Sequence, residues 1–256
     1  MDLLEGLQYH AEKNHAVVGL GMDDSSSFSS KEIIKGSAAK AQSLGYGEVR
    51  IYSSPSELVQ ALKTDEVQCA VRGNFGSKPV LNAIRKEFGI SSIFRAAIIC
   101  LAEKSCFFLA PVGIDEGIFI EERFEFIKLI EPILQDLGVI PKIAILSGGR
   151  VQEDLGRSGV VDESIRAGEK LFQMAKSAGY DVQHYGVLIE EAYKGSNVIM
   201  APNGIVGNLL FRTLHLVGGC RSFGAPVMNL KKVFIDTSRS KKDYADAIML
   251  ASALSR

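Results

Sequence analysis

The sequence predicts an α/β fold with two lobes and mainly parallel sheets. Short apolar runs of strand length alternate with amphipathic stretches of helix length along the chain. Glycines stop several helical patterns, and polar loops follow several apolar runs. Because this repeated strand–helix order requires crossover helices, we expect parallel strands with helices on both faces of each sheet.

The first half of the chain opens with a polar helix and continues with five predicted strands. These strands cover residues 16–20, 48–52, 67–71, 92–101 and 106–111. Three further helices are predicted at residues 31–44, 55–62 and 79–88. Pro55 opens the second of these behind Ser54 as its cap, and Gly89 stops the third.

The second half repeats the pattern. Its predicted helices are residues 121–137, 162–178, 205–217 and 242–254, and its predicted strands are residues 142–146, 182–189, 197–200 and 233–235. The poorly patterned stretch 113–117 is the expected crossover. The sequence therefore predicts a first lobe at 1–115 and a second lobe at 116–256, with exchange of terminal elements between the lobes left open.

Composition and charge exclude several classes of partner. The chain has 256 residues, of which 46% are hydrophobic, so it is long and apolar enough to bury a core. A net charge of −1 without a basic cluster predicts no nucleic-acid partner. No apolar run is long enough to span a bilayer, so no membrane partner is expected. The four cysteines match no metal motif and are expected to be buried thiols in a cytoplasmic protein.

Three polar loops follow predicted strands, where parallel sheets bind ligands. In the first loop, two glycines permit close approach to a ligand beside an arginine, although such pairs also form ordinary turns; its residues are Ser147, Gly148, Gly149 and Arg150. In the second, backbone N–H groups at a helix start are able to hold an anion. The alternative is that Asn203 only caps the helix and Gly207, next to Asn208, only permits tight packing.

The third loop, residues 236–240, combines an aspartate, hydroxyls and an arginine. Arg239 suits a phosphate, and Ser238 suits a developing oxyanion or thiolate. The alternative is a capping box, with Ser240 as the helix cap and Asp243 three residues later.

Other catalytic motifs are missing from the sequence. The four histidines form no HxxxH pair, so no metal site is expected. Neither a GxSxG elbow nor a Walker loop occurs, and the Gly19-x-Gly21 pair lacks the third glycine of a dinucleotide fingerprint.

The order of motifs over residues 197–254 resembles the C-terminal part of the phosphate acetyl/butyryl transferase family. A P-N-G-I-V-G-N segment at 202–208 is followed by Gly218-Gly219, by G-A-P at 224–226, and by L-K-K-V-F-I-D-T-S-R at 230–239. The strand at 142–147 also resembles that family, and weaker similarity extends over 67–114. The I-L-S-G-G-R and A-P-N-G-I-V-G-N versions are most similar to its short methanogenesis-marker branch, which is MtxX-like and methyltransferase-related.

This resemblance implies an isocitrate/isopropylmalate dehydrogenase-like fold, a cleft between two lobes, and acyl transfer involving coenzyme A. Coenzyme A would be a substrate, with no tightly bound cofactor, and a homodimer formed through the second lobe is expected. The implied catalytic residues are Ser238, Arg239, Asp236 and Asp243. The arginine with which the family binds phosphate has no counterpart in residues 79–83. Two other functions stay open: a methyltransferase-associated protein of methane metabolism, and a non-catalytic binding or assembly protein.

Overall fold

Strands and helices alternate along the computed structural model, which describes residues 2–101 and 106–255. The strands are β1 Val17–Gly21, β2 Glu48–Tyr52, β3 Cys69–Val71, β4 Ala97–Cys100, β5 Cys106–Ala110, β6 Ile143–Leu146, β7 Val182–Gly186, β8 Val198–Met200, β9 Arg221–Pro226 and β10 Val233–Asp236. The helices are α1 Leu3–Asn14, α2 Phe28–Ser43, α3 Pro55–Lys63, α4 Ser77–Phe88, α5 Ile120–Asp136, α6 Gly159–Ser177, α7 Ile189–Gly195, α8 Gly204–Arg212 and α9 Ala245–Leu254. A π-helical turn, Thr213–Val217, extends α8. The predicted α/β class is confirmed.

The chain divides into two units. The central unit consists of Phe94–Arg221 with the few residues before Glu5, and the discontinuous unit consists of Glu5–Ile93 with the chain from Ser222 onward. This division differs from the predicted boundary at residue 115. The hairpin β4–β5 pairs with β8 and therefore groups with the second half, while β10 pairs with β3 and returns residues 222–255 to the first half.

In the discontinuous unit, the strand order is β2-β1-β3-β10-β9. All of these pairs are parallel except β10–β9. Helix α9 is buried almost all round, as its apolar sequence requires. The carboxyl ends of β1, β3 and β10 therefore meet at one edge of this sheet.

In the central unit, the strand order is β4-β5-β8-β6-β7. The four strands β5, β8, β6 and β7 are parallel, and β4 forms an antiparallel hairpin with β5. The strands β5, β6 and β8 are fully buried, which explains their unbroken apolar sequences. The loops that follow them leave the same edge of this sheet.

Two cysteines differ from the sequence-based expectation. Cys100 and Cys106 are directly opposite each other in the β4–β5 hairpin and form a disulfide, so the prediction of four thiols is wrong for this pair. Opposed residues of an antiparallel pair bring their side chains close enough to be bridged. Cys69 and Cys220 are free thiols.

The length and hydrophobicity of the helices bear on whether any of them is able to span a membrane. Across residues 2–101 and 106–255, each helix is either too short or too polar to cross a bilayer.

Candidate functional site

The carboxyl end of β10 is held by a buried ion pair. Arg72, which directly follows β3, places its Nε 2.5 Å from Oδ1 of Asp236. Their side chains are only 8% and 10% exposed. The Nε–H of Arg72 does not point at the carboxylate as a hydrogen bond requires, so charge attraction dominates this contact. Nη1 of Arg72 donates a separate hydrogen bond to the Phe75 carbonyl at 3.1 Å. The predicted catalytic residue Asp236 thus lies in a buried pair that joins β10 to the loop after β3.

Thr237 reinforces this connection. Its Oγ1 donates to the Gly73 carbonyl at 2.9 Å, and its N–H donates to Oδ1 of Asp236 at 3.0 Å. Gly73 has a φ of +64°, and a side chain there would collide with the backbone of Gly21. The end of β1 and the loop after β3 are consequently packed backbone to backbone, and the Thr237 hydroxyl joins the loop after β10 to them.

Ser238 and Arg239 project from this rigid base. Ser238 is half-buried and Arg239 is exposed. The Ser238 hydroxyl accepts a hydrogen bond from the Ser240 N–H at 3.2 Å, and its carbonyl accepts one from the Tyr244 hydroxyl at 3.1 Å. The backbone of Ser238 is therefore fixed while the guanidinium of Arg239 faces solvent.

Asp23, two residues after β1, contributes to the same cluster. Hydrogen bonds from the Ser25 hydroxyl and N–H lower the pKa of Asp23, and the positive charge of Arg239 adds a smaller effect in the same direction. The Asp23 N–H donates to Oδ1 of Asn74 at 2.7 Å, and the buried Asn74 amide donates to the hydroxyls of Ser26 and Ser30. Sequence reasoning missed Asp23 and Asn74, although both follow strand ends and the strand-end rule would have found them.

Asp243 lies just before α9, and both of its carboxylate oxygens have partners there. Its Oδ1 accepts from the Ala245 N–H at 2.8 Å, and its Oδ2 lies 2.5 Å from Nζ of Lys40. Burial raises the pKa of Asp243, but these two hydrogen bonds outweigh burial, so its net pKa is below the ordinary value. The capping box predicted on Ser240 is wrong, because α9 begins only at Ala245 and Ser240 is exposed in the preceding turn.

In the central unit, Ser147 begins a polar chain that runs through the buried His184 to the partly exposed Glu169. Its Oγ lies 2.9 Å from Nε2 of His184, whose Nδ1 lies 3.2 Å from Oε2 of Glu169. Gly168 leaves room for the imidazole, since a Cβ there would collide with the ring. Hydrogen bonds from Gln173 and from His184 lower the pKa of Glu169.

The order hydroxyl, imidazole, carboxylate is that of an activated serine. Ser147 is only 3% exposed, however, and the His184 side chain is only 4% exposed, so the hydroxyl and the imidazole are both buried. We therefore assign it to holding the loop after β6. His184 and Glu169 were missed in the sequence because their spacing to Ser147 is long-range.

The rest of this loop is tied to α6 and to the turn that follows it. The Gly148 N–H donates to the Ser164 hydroxyl at 2.8 Å, and the Arg150 N–H donates to Oδ2 of Asp154 at 2.8 Å. Gly149 is buried, and its carbonyl lies where a side chain on Gly186 would fall. The Arg150 side chain is 52% exposed and lies 3.3 Å from Glu153, so its guanidinium is a surface group.

The loop after β8 begins α8. Asn203 caps this helix by accepting from the Val206 N–H at 3.0 Å, and the Asn208 amide donates to the Val112 carbonyl at 2.9 Å. Side chains at Gly204 and Gly207 would collide with the backbone of Gly113 and Pro111. These contacts match the capping and packing alternative that the sequence left open.

A second buried ion pair holds the loop after β5. Nε of Arg95 lies 2.6 Å from Oε1 of Glu116. The other carboxylate oxygen, Oε2, accepts a hydrogen bond from the Gly113 N–H at 3.2 Å. Burial raises the pKa of Glu116, and the neighbouring Arg95 opposes this effect without reversing it. The Glu116 carbonyl in turn accepts from the Gly204 N–H at 2.8 Å, which ties this loop to α8.

The predicted site residues thus fall into two groups. The loops at Ser147–Arg150 and Asn203–Asn208 share the carboxyl edge of the central sheet, since β6 and β8 are paired in parallel. The loop at Asp236–Arg239 and Asp243 belong to the discontinuous unit. A cleft shared by all three loops stays a prediction. Within the part of the chain that the structure describes, no group of three or more His, Cys, Asp or Glu side chains is placed to hold a metal ion.

Similar proteins were found among curated sequences. No family model matches the chain. A Methanosarcina mazei protein described as "Putative methyltransferase mtx subunit X" is 38% identical over 272 residues, covering 99% of this chain and 95% of that protein. A Methanocaldococcus jannaschii protein described as "Uncharacterized methyltransferase MJ1371" is 38% identical over 201 residues, covering 75% of this chain and 81% of that protein.

Solved structures share the fold at low sequence identity. The EutD phosphotransacetylase from Staphylococcus aureus matches with a TM-score of 0.67 and 14% identity, covering 98% of this chain and 97% of that chain. A branched-chain phosphotransacylase from Enterococcus faecalis matches with a TM-score of 0.66 and 17% identity, covering 93% and 98%. A 4-hydroxythreonine-4-phosphate dehydrogenase from Burkholderia phymatum matches with a TM-score of 0.55 and 11% identity, covering 94% and 98%.

These structural matches confirm the fold that the resemblance implied, which phosphotransacylases share with dehydrogenases. The Methanosarcina mazei relative spans 99% of this chain at 38% identity, which establishes kinship. The chain therefore belongs to the mtx subunit X family, the MtxX-like branch, and has the fold of the phosphotransacetylases.

Proposed function

We propose that this protein is a cytoplasmic group-transfer enzyme that acts on an acyl-CoA or a similar phosphorylated carrier. The observation that carries the proposal is the Ser238–Arg239 pair, which projects from a rigid base on a fold shared with two phosphotransacylases. The carrier would bind and leave as a substrate, so no tightly bound cofactor is required.

The chemistry follows from the charges that develop during acyl transfer. An acceptor attacks the thioester carbonyl, a negative tetrahedral oxygen forms, and the carbon–sulfur bond breaks to release a thiolate. The Ser238 hydroxyl suits hydrogen bonding to the oxygen or the sulfur, and Arg239 suits the carbonyl oxygen or a phosphate. Asp243 stays charged because its pKa is lowered, so its proposed role is to orient the attacking group. We assign Asp236, whose carboxylate is paired with Arg72, to positioning Ser238.

Release of thiol from acetyl-CoA and longer acyl-CoAs, with phosphate and other acceptors, tests this proposal. Arg239→Ala should lower kcat/KM by about 10²–10³-fold, the effect of losing one preorganised donor. Arg239→Lys should be nearly as damaging if the contact is bidentate, and Ser238→Ala should lower kcat more than it raises KM. Arg50→Ala, which alters an exposed arginine on β2, is the control. Full activity in Arg239→Ala would contradict the assignment of this site.

The names of the relatives favour a second function. Curated relatives over nearly the full length are described as subunits of a methyltransferase, which supports a methyltransferase-associated protein of methane metabolism. Turnover that depends on S-adenosylmethionine or a corrinoid, without thiol release from acyl-CoA, would favour this function. Absence of both activities would favour the non-catalytic binding or assembly protein.

We also propose a homodimer that pairs through α8 and its π-helical extension. Ile205 and Leu209 on α8 are 58% and 60% exposed, and Val217 is 84% exposed. An apolar helix face of this kind is typical of subunit interfaces. Light scattering should give a dimer for the wild type and a monomer for Leu209→Asp, with Leu44→Asp in α2's C-cap as the control. A wild-type monomer at micromolar concentration would refute the pairing.

A further inference from the structure

Arg123, in the first turns of α5, is buried without a partner for its charge. The residue is 4% exposed, and its Nε has no hydrogen-bond partner. Within residues 2–101 and 106–255, no carboxylate lies within ion-pairing distance of its guanidinium. Burial lowers the pKa of Arg123, and Glu121 is the neighbouring charge that opposes this effect.

Two other arginines with largely buried side chains, 8% and 13% exposed, are neutralised. Arg72 is paired with Asp236, and Arg95 is paired with Glu116. Proteins rarely keep a buried charge without a partner, because its desolvation is strongly unfavourable. Arg123 also lies near the positive end of the α5 dipole, which disfavours a cation further.

The nearby carboxylates are occupied elsewhere. Glu122 accepts hydrogen bonds from the N–H groups of Ile118 and Phe119 at the start of α5. Glu121 is 70% exposed and lies 3.7 Å from Nζ of Lys170. A charge that is both buried and uncompensated is a feature of sites whose ligand supplies the counter-charge.

The Arg123 side chain lies against the loop after β5, because a Cβ on Gly117 would fall 3.3 Å from Cγ of Arg123. Gly117 has a φ of +65°, a conformation that favours glycine, so no side chain from this position occupies the space beside Arg123. The preceding residue, Glu116, bonds through its carbonyl to the first N–H of α8. Arg123 therefore lies at the carboxyl edge of the central sheet, where parallel sheets bind ligands.

We propose that Arg123 binds an oxyanion, a phosphate or a carboxylate group of a ligand, at this edge. The guanidinium fork matches the geometry of such a group, and the ligand would supply the charge that the protein lacks. The anion site is inferred from the burial of Arg123 and from its Nε, which has no hydrogen-bond partner. Only the identification of this anion as a phosphate group rests on the proposed function.

The stability of variants tests this site without any turnover. Thermal unfolding of the wild type, Arg123→Met and Arg123→Lys is followed in chloride, inorganic phosphate, acetate and coenzyme A at equal ionic strength. Arg166→Met is the control, since Arg166 is a 74% exposed arginine on α6. We expect the wild type to be stabilised by at least one of the three anions, and Arg166→Met to behave in the same way.

Arg123→Met should unfold at the same or a higher temperature than the wild type in chloride, because an unpaired buried charge has been removed. It should also bind the stabilising anion at least about 10-fold more weakly, with Arg123→Lys intermediate. Stabilisation by phosphate or coenzyme A identifies a phosphate site, and stabilisation by acetate alone identifies a carboxylate site.

Three results would overturn the proposal: no anion effect on the wild type, an unchanged anion effect in Arg123→Met, or marked destabilisation of Arg123→Met in chloride. Loss of acyl transfer in every assay, with anion binding intact, would instead refute the proposed function and leave this site standing.

Discussion

Replacing Asp236 by asparagine removes one charge from the buried pair with Arg72 while keeping the shape of the side chain. Arg72 then stays charged at 8% exposure, and the nearby asparagine oxygen is a much weaker partner than a carboxylate. Breaking a buried pair by removing one member costs about 3–5 kcal/mol. We expect the free energy of unfolding to fall by that amount. With a urea dependence of about 3 kcal/mol per M, the urea midpoint should fall by about 1–2 M.

Urea unfolding of Asp236→Asn beside Asp24→Asn measures this effect. Asp24 is 61% exposed and lies 3.8 Å from Lys31, so its replacement should change stability by less than about 1 kcal/mol. The double variant Arg72→Met/Asp236→Leu should recover much of the lost stability, because an apolar pair leaves no buried charge. If Asp236→Asn unfolds at the same urea concentration as Asp24→Asn, the Arg72–Asp236 pair does not stabilise the folded protein.

Three further predictions concern packing, thiol reactivity and pH. Gly207→Ala should destabilise the protein by about 1–3 kcal/mol because its Cβ would strike the loop after β5, whereas Gly36→Ala, in open space on α2, should be neutral or stabilising in thermal unfolding. Burial raises the pKa of Cys69 to about 12, so the native thiol should resist alkylation at pH 8 until the protein unfolds, and rapid labelling in a mass-spectrometric assay would refute its burial. The pKa of Asp243 in the folded protein lies below its ordinary value, so the stabilisation by this carboxylate is present above that ordinary pKa and is lost as the pH falls through the folded-state pKa. Lys40→Met should reduce this acid-sensitive part of the stability, and identical pH profiles of unfolding for both proteins would exclude the pair.

The fold was predictable because local patterns encode it. Buried parallel strands such as β5 and β6 need continuous apolar sequences, and such runs stand out between amphipathic helices. The strand β9 was not predicted, since its R-S-F-G-A-P sequence contains a glycine and a proline. The predicted strand 182–189 ends early at Gly186, whose φ of +61° starts a turn into α7.

The candidate site was predictable only in part. Polar loops after strands were recognisable, and they include Ser147, Asn203 and Ser238. Their partners were not, because contacts such as Ser147–His184 join residues that are far apart in sequence. The cap of α9 was misassigned for a local reason: Asp243 binds the Ala245 N–H, so the helix begins later than Ser240 would require.

The boundary between the lobes was also mispredicted because it depends on pairing between strands that are far apart in sequence. Residues 233–236 look like any other strand in the sequence, and only their pairing with β3 assigns them to the discontinuous unit. Pairing partners in parallel sheets are not specified by the strand itself, so the return of the chain could not be derived from periodicity alone.

That return sets an order of events during synthesis. The central unit is almost contiguous, so its sheet can form as soon as residue 221 has left the ribosome. The discontinuous unit has to wait for β10 and α9, and until then the edge of β3 and the apolar surface that α9 covers are open. Nascent chains that stop between residues 221 and 245 should therefore be bound by chaperones through β1 and β3, even though those strands were made first.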